Sequence, residues 1–258
     1  MANKIEFTTK NARSFTTWLK KFSVLDNSLL LEVDLKNNIF IAKSYDEQRS
    51  AVKQSKIKFD EAGLLITSNK QVASRVKIGI YNILKLIKTF EHFNDEEFSF
   101  TINYDEITGA EPEFAGTGLI LKNNNLKVNI DCTSLNIFKY ISDDLFKNTI
   151  SAIESVVTTF SLSNLTIDKI RSLSDLDKDN KYLDIKSENG HVYVCSKTFE
   201  LLIEEQPKAI NCKLSIFKDQ FSNIDPENYI VTMGDDRLVF TSNDTDTICV
   251  TSRVESED

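Results

Sequence analysis

The chain is poor in the residues that usually mark linkers, metal sites and disulfides. Its 258 residues include three prolines, seven glycines, four cysteines and two histidines. So few prolines and glycines leave little room for flexible linkers. The cysteines, Cys132, Cys195, Cys212 and Cys249, lie far apart with no Cys-x-x-Cys spacing. They read as reduced, small apolar residues of a cytoplasmic protein. Neither His92, in EHFNDEE, nor His191, in a hairpin, has a partner at metal-ligand spacing, so no metal site is expected. The acidic clusters Asp95-Glu96-Glu97 and Asp143-Asp144 read as solvated loops. A glycine-rich phosphate loop, a Gly-x-Ser-x-Gly element and a nucleophile with a visible base are all missing, so neither catalysis nor a cofactor is indicated. No apolar run approaches the roughly 20 residues of a membrane helix. The first residues, MANKIEFTTK, carry no apolar signal core, and export is not expected.

What is present is the composition of a globular protein, 41% hydrophobic and 27% charged, long enough for one large domain or two ordinary ones. Residues 3–8 read as a strand. Phe15, Trp18, Leu19 and Phe22 follow at i, i+3, i+4 and i+7, one face of a helix between Lys10 and Phe22. Residues 29–45 read as two strands turning at Asn37-Asn38. Strands are expected over 49–59, 63–67 and 97–104, and SRVKIGIY (74–81) leads into the next helix. A second helix runs from Asn82 to about Phe90, with Ile83, Leu84, Ile87 and Phe90 inward. A Gly/Glu-rich loop is expected at 105–118 and a hairpin over 118–131. Residues 132–155 connect two halves and hold a possible helix from Asp143 to Glu154.

The order then restarts. It runs strand 155–163, helix 165–176, a hairpin over 181–200 turning at Asn189-Gly190, strand 209–215, a short helix 216–222, and three strands between 227 and 252. LEVDLKNNIFIAKS (31–44) lies over LDIKSENGHVYVCS (183–196) without a gap. Two similar α+β domains of two helices and about eight strands each follow: 1–135, a connector 136–154, and 155–258.

Charge is segregated along this plan. The chain carries a net −8. Segment 9–22 nevertheless holds Lys10, Arg13, Lys20 and Lys21 without a carboxylate, and 62–90 holds Lys70, Arg75, Lys77, Lys85 and Lys88, again without one. These nine cations leave the rest at −17, counted from the total of −8. The third helix adds Lys169 and Arg171 beside Asp168, and the fourth adds Lys218 beside Asp219. Such residues can be solvated helix faces. A surface without carboxylates is also what a polyphosphate requires, because each cation near a phosphate displaces a condensed counterion. No base-reading motif accompanies them, so contact would be with the backbone, independent of sequence. Trp18 lies on the apolar stripe and reads as core.

With two repeated α+β domains, each carrying basic helices, the chain resembles a DNA sliding clamp. The nearest type is the two-domain clamp of T-even-like phages, related to proliferating cell nuclear antigen. KLSIFKDQFSNIDPENYIVTM (213–233) resembles that family's closing strand, short helix, turn and strand, and LKVNIDCTSLNIFK (126–139) resembles the end of a first domain entering the connector. The resemblance implies two clamp domains, each with two helices packed on curved antiparallel sheets, assembling into a closed homotrimeric ring around duplex DNA. It implies no catalysis, no cofactor and no membrane, and partners in a DNA polymerase and a clamp loader. The place of action would be the cytoplasm, the host's for a phage protein. Lys10, Arg13, Lys20, Lys21, Lys77, Lys85, Lys88, Lys169, Arg171 and Lys218 would meet DNA. Phe138, Ile141, Tyr229 and Val250 would neighbour a partner-peptide pocket. Two other readings stay open: a β-rich ring- or tube-forming virion or assembly protein, and an enzyme with an unrecognised site.

Overall fold

A computed structural model describes residues 3–48, 50–67, 73–93, 96–107, 113–141, 153, 156–206, 210–242, 245 and 247–254. The expected helix from Asp143 to Glu154 (apart from Ile153 itself), Lys70, and Asp95, Asp143 and Asp144 of the acidic clusters lie outside these residues. The chain divides into two compact units, residues 1–44 with 54–142, and residues 45–53 with 143–258.

The first unit contains β1 (Asn3–Thr9), α1 (Arg13–Lys20), β2 (Leu29–Asp34), β3 (Ile39–Tyr45), β4 (Ala51–Lys58), of which 54–58 belong here, β5 (Leu65–Ile66), β6 (Arg75–Ile80), α2 (Ile83–Glu91), β7 (Phe98–Ile107), β8 (Glu113–Lys122) and β9 (Lys127–Asp131). A 3₁₀ helix at Leu135–Ile141 follows. The strands lie in the order β4-β3-β2-β6-β8-β7-β1-β5, with β9 on β8. Both helices pack on this sheet through one aromatic core. Phe15 of α1 meets Phe40 of β3 at 5.0 Å and Phe90 of α2 at 5.1 Å between ring centroids. Each such fully buried side chain contributes about 1.5–3 kcal/mol. Trp18 is buried and its Nε1 donates to Ser55 Oγ at 3.0 Å, as a core tryptophan must.

The second unit contains β10 (Val156–Leu162), α3 (Asn164–Leu176), β11 (Tyr182–Glu188), β12 (His191–Cys195), β13 (Glu200–Glu205), β14 (Cys212–Phe217), α4 (Lys218–Ser222), β15 (Tyr229–Gly234), β16 (Arg237–Ser242) and β17 (Thr247–Ser252). Its strands form the runs β10-β15-β16-β17 and β13-β12-β11-β14. The core joins Phe160, Ile167, Ile170, Ile185, Val194, Phe221 and Phe240.

The repeated hairpins are alike in face and unlike in turn. Asp34 pairs with Ile39 around a four-residue loop, whereas Glu188 pairs with His191 around two residues. Asn38 is left-handed in the first (φ 56), and Asn189 and Gly190 are left-handed in the second (φ 52 and 80). The Asn-Gly pair is what a two-residue turn that matches strand twist requires. Because the loops differ by two residues, parity is kept. Leu31, Val33, Phe40 and Ala42 face one core, and Leu183, Ile185, Val192 and Val194 face the other. The ion pairs repeat as well. Arg75 lies 3.5 Å from Glu32, and Lys213, two residues before the strand partner of Asp184, lies 3.0 Å from Asp184.

Three details differ from the sequence expectation. Leu84 is 44% exposed and Leu86 is buried in its place, because a helix beginning at Ile83 buries i, i+3, i+4 and i+7. The expected loop 105–118 is partly strand: β7 reaches Ile107 and β8 begins at Glu113. There Gly116 packs on β6, where a Cβ would lie 2.9 Å from Ile78 Cγ1. β13, ELLIEE, was not expected as a strand. It lies at a sheet end, where side-chain alternation is weakly imposed.

Candidate nucleic-acid interface

In the first unit α1 and α2 lie side by side, with their apolar stripes inward. The first turn of α1 begins where Asn11 Oδ1 accepts from the Arg13 amide (2.9 Å), and that of α2 where Asn82 Oδ1 accepts from the Lys85 amide (2.8 Å). Burial of Phe15, Trp18 and Leu19 turns Arg13 and Lys20 outward, and burial of Ile83, Leu86, Ile87 and Phe90 turns Lys85 and Lys88 outward. Lys85 and Lys88 are three residues apart and share a side of the helix. Neither forms an ion pair among the described residues.

The other first-unit cations have closer acids. Lys20 Nζ lies 2.8 Å from Glu91 Oε1, joining the C-terminal ends of the two helices, and Lys10 lies 3.9 Å from Glu97. Both pairs are exposed, so solvent and salt weaken them and the cations remain available. Lys21, half-buried, is the residue that closes α1. Lys77 is placed differently. It lies on β6 between the core residues Val76 and Ile78, so strand alternation turns it to the opposite face of the sheet from the helices, where it bonds Glu113 at 2.6 Å.

In the second unit Lys169 is exposed on α3, while the other two candidate cations are held by main-chain carbonyls. Arg171 of α3 donates to Ser222 O at 3.1 Å and to Ile224 O, at the C-terminal end of α4. Lys218, opening α4, donates to Ser174 O at 2.7 Å and Asp177 O at 3.2 Å, at the C-terminal end of α3. Each helix thus sends a cation to main-chain carbonyls at or just past the C-terminal end of the other, one of which, Ser174 O, also accepts from the Asp177 amide.

The four residues expected beside a peptide pocket are all buried. Phe138 and Ile141 belong to the 3₁₀ helix of the first unit, and Tyr229 and Val250 to β15 and β17 of the second. Phe138 rests on Gly79, whose missing Cβ lets the chain at Thr133 bridge to β6. The apolar side chains that reach solvent near them are Ile137 and Tyr140 in the first unit and Ile230 in the second. Tyr229 and Ile230 line a cleft of about 300 Å³ with Ser161, Leu162, Asn228 and Thr241. Sequence reasoning missed these groups, although Ile230 alternates with the inward Tyr229 and Val231 and could have been placed by strand parity.

No family model and no curated protein matches the chain. Solved structures do. The DNA polymerase III beta chain of Streptococcus pneumoniae is similar with a TM-score of 0.65 at 13% identity, over 98% of this chain and 66% of that one. Proliferating cellular nuclear antigen from Entamoeba histolytica gives 0.60 at 12% identity, over 99% of this chain and 100% of that one. The A. fulgidus PCNA bound to the C-terminal region of FEN-1 gives 0.62 at 10% identity, over 98% and 100%. The chain therefore has the fold of the DNA sliding clamps. It spans about two thirds of the bacterial beta chain and the whole of the PCNA chains.

Proposed function

We propose that this chain is a DNA sliding clamp, a non-catalytic ring that encircles duplex DNA and tethers a replicative DNA polymerase to it. The observation that carries this reading is a pair of packed helices showing outward cations, Lys85 and Lys88 foremost, in an acidic chain with the clamp fold. Contacts of this kind neutralise backbone phosphates without reading bases. They are individually weak and exchange readily, which suits sliding, while the surrounding negative charge keeps DNA on the basic surface. Lys10, Arg13, Lys20 and Lys21 extend the same surface of the first unit, whereas Lys169 of the second unit is exposed beside Asp168.

The two units cover the whole of the PCNA chains in fold, which supports a homotrimer of six such units, closed by head-to-tail pairing of edge strands. The FEN-1 segment held by the A. fulgidus protein supports a similar peptide site here for a polymerase or loader. In the first unit Phe138 and Ile141 would support such a site from beneath, with Ile137 and Tyr140 as apolar groups that a peptide could touch; in the second unit, taken by itself, Tyr229 and Val250 are the candidates, with Ile230 at the surface. No helix among the described residues is long and apolar enough to cross a membrane, and we place the activity in the cytoplasm, the host's for a phage protein.

The test is primer extension by the cognate polymerase with this chain and the loader. Longer products are expected on circular primed templates. Unchanged product length with a loader active on its own clamp would refute the proposal, as would a monomeric mass at working concentration.

A further inference from the structure

The four α-helices among the described residues differ in charge and in how their cations are engaged. The charged side chains within α1 and α2 are Arg13, Lys20, Lys85, Lys88 and Glu91, a formal charge of +3. Along α3 and α4, Lys169, Arg171 and Lys218 stand against Asp168, Asp175 and Asp219, a formal charge of zero. Two of those three second-unit cations are also engaged, Arg171 on Ser222 and Ile224 carbonyls and Lys218 on Ser174 and Asp177 carbonyls.

We infer that the two units meet the duplex unequally: the first-unit helices hold the phosphates, and Arg171 and Lys218 act as a reciprocal clasp between the second-unit helices. The inference rests on the clamp reading and deepens it. A guanidinium or ammonium that closes a helix C-terminus has its donors aimed at carbonyls. Turning it toward a phosphate would strip those carbonyls of a charged donor. Lys169 has no such tie, but it follows Asp168 in the chain, and the α3 and α4 side chains around it sum to no net charge. A polyanion gains little from a neutral surface. On α2, by contrast, Lys85 and Lys88 form no ion pair among the described residues, and the only carboxylate of the helix, Glu91, is drawn to Lys20. DNA would therefore be tracked by one patch per chain, with the second unit serving as a spacer whose helices α3 and α4 carry no net charge and are joined by the clasp.

The experiment measures affinity of the full-length chain for a short fluorescent duplex as salt is raised, with thermal melting in parallel. Each lost phosphate contact reduces the slope of log K against log salt by about 0.9. Lys85→Gln with Lys88→Gln should therefore lower the slope by about 1.8, making the double variant about twelvefold less salt-sensitive between roughly 50 and 200 mM, with an unchanged melting temperature. Lys169→Gln should leave the slope unaltered. Arg171→Gln and Lys218→Gln should lower the melting temperature and leave the slope unaltered. Should those two fail to fold, Lys169→Gln alone decides, because its exposed side chain carries no clasp. An equal fall in slope for Lys169→Gln, or no fall for the Lys85/Lys88 variant, overturns the inference. The slopes as expected in a chain that fails primer extension would instead overturn the clamp reading and leave the unequal division standing.

Discussion

Lys43 and Glu32 offer a quantitative test of how the first unit is held together. The two side chains are each 1% exposed and meet at 3.0 Å. Arg75 approaches the other oxygen of Glu32 at 3.5 Å and Asp34 at 3.4 Å, but is itself 41% exposed. The cluster is thus two carboxylates and two cations, with one pair almost fully removed from water. Removing one partner of a buried pair leaves an uncompensated charge and costs about 3–5 kcal/mol, whereas replacing both by apolar groups is often neutral or stabilising. Lys43→Met should therefore lower first-unit stability by about 3 kcal/mol, softened from the upper end by Arg75. Glu32→Leu combined with Lys43→Met should recover at least about 2 kcal/mol of that loss. The assay is urea unfolding followed by tryptophan fluorescence. The chain has one tryptophan, Trp18, and it is buried in the same unit, so its signal reports that unit even if the second unfolds separately. A Lys43→Met variant within about 1 kcal/mol of the parent, or a double variant whose losses simply add, would refute the reasoning.

Two further outcomes concern titration. Burial pushes the Asp34 carboxyl up, but hydrogen bonds from the Asn37 side chain and main chain, and then Arg75, outweigh it and hold the group below its ordinary value of 3.8. Its contribution to stability is therefore complete above that value and lost as pH falls through the lower folded value, and Asp34→Asn should flatten the acid limb of the stability curve measured by Trp18 fluorescence. Burial raises the thiols of Cys132 (to about 12, with Asp131 adding), Cys195 (to about 11) and Cys249 (to about 12), so all three stay protonated near neutral pH. Iodoacetamide followed by peptide mass mapping should label them slowly in the native chain and quickly in urea; equal rates would count against their burial.

Much of the fold was legible because its signals are local. The α1 stripe at i, i+3, i+4 and i+7 places Phe15, Trp18, Leu19 and Phe22 correctly in the core. Asn37-Asn38 and Asn189-Gly190 mark both hairpins, since few other residues accept a left-handed backbone. The repeat survived a two-residue difference between its turns because such a shift preserves strand faces. β13 and the start of β8 were not legible. One is a glutamate-rich end strand, and the other contains Gly116, which suits a close approach to Ile78 and also reads as a loop residue.

The site was legible only as an inventory of charge. Sequence shows that 62–90 lacks carboxylates, and the structure turns Lys85 and Lys88 of that segment outward. It cannot show that Lys77 lies on the other face of the sheet with Glu113, nor that the acid beside Lys20 is Glu91, 71 positions on in the chain. Least visible is the use of Arg171 and Lys218. Their neutralising partners are carbonyls of the backbone, which every residue carries and no composition counts. Whether a helix cation is available to a phosphate depends on whether another helix ends within its reach. In the first unit α1 and α2 end together at Lys20 and Glu91, so an exposed side-chain pair closes them and the outward lysines are spared. In the second unit each helix begins or passes beside the end of the other, and the cations are drawn inward. The same residue types at similar helical positions thus serve opposite ends, and the packing of helix termini decides which.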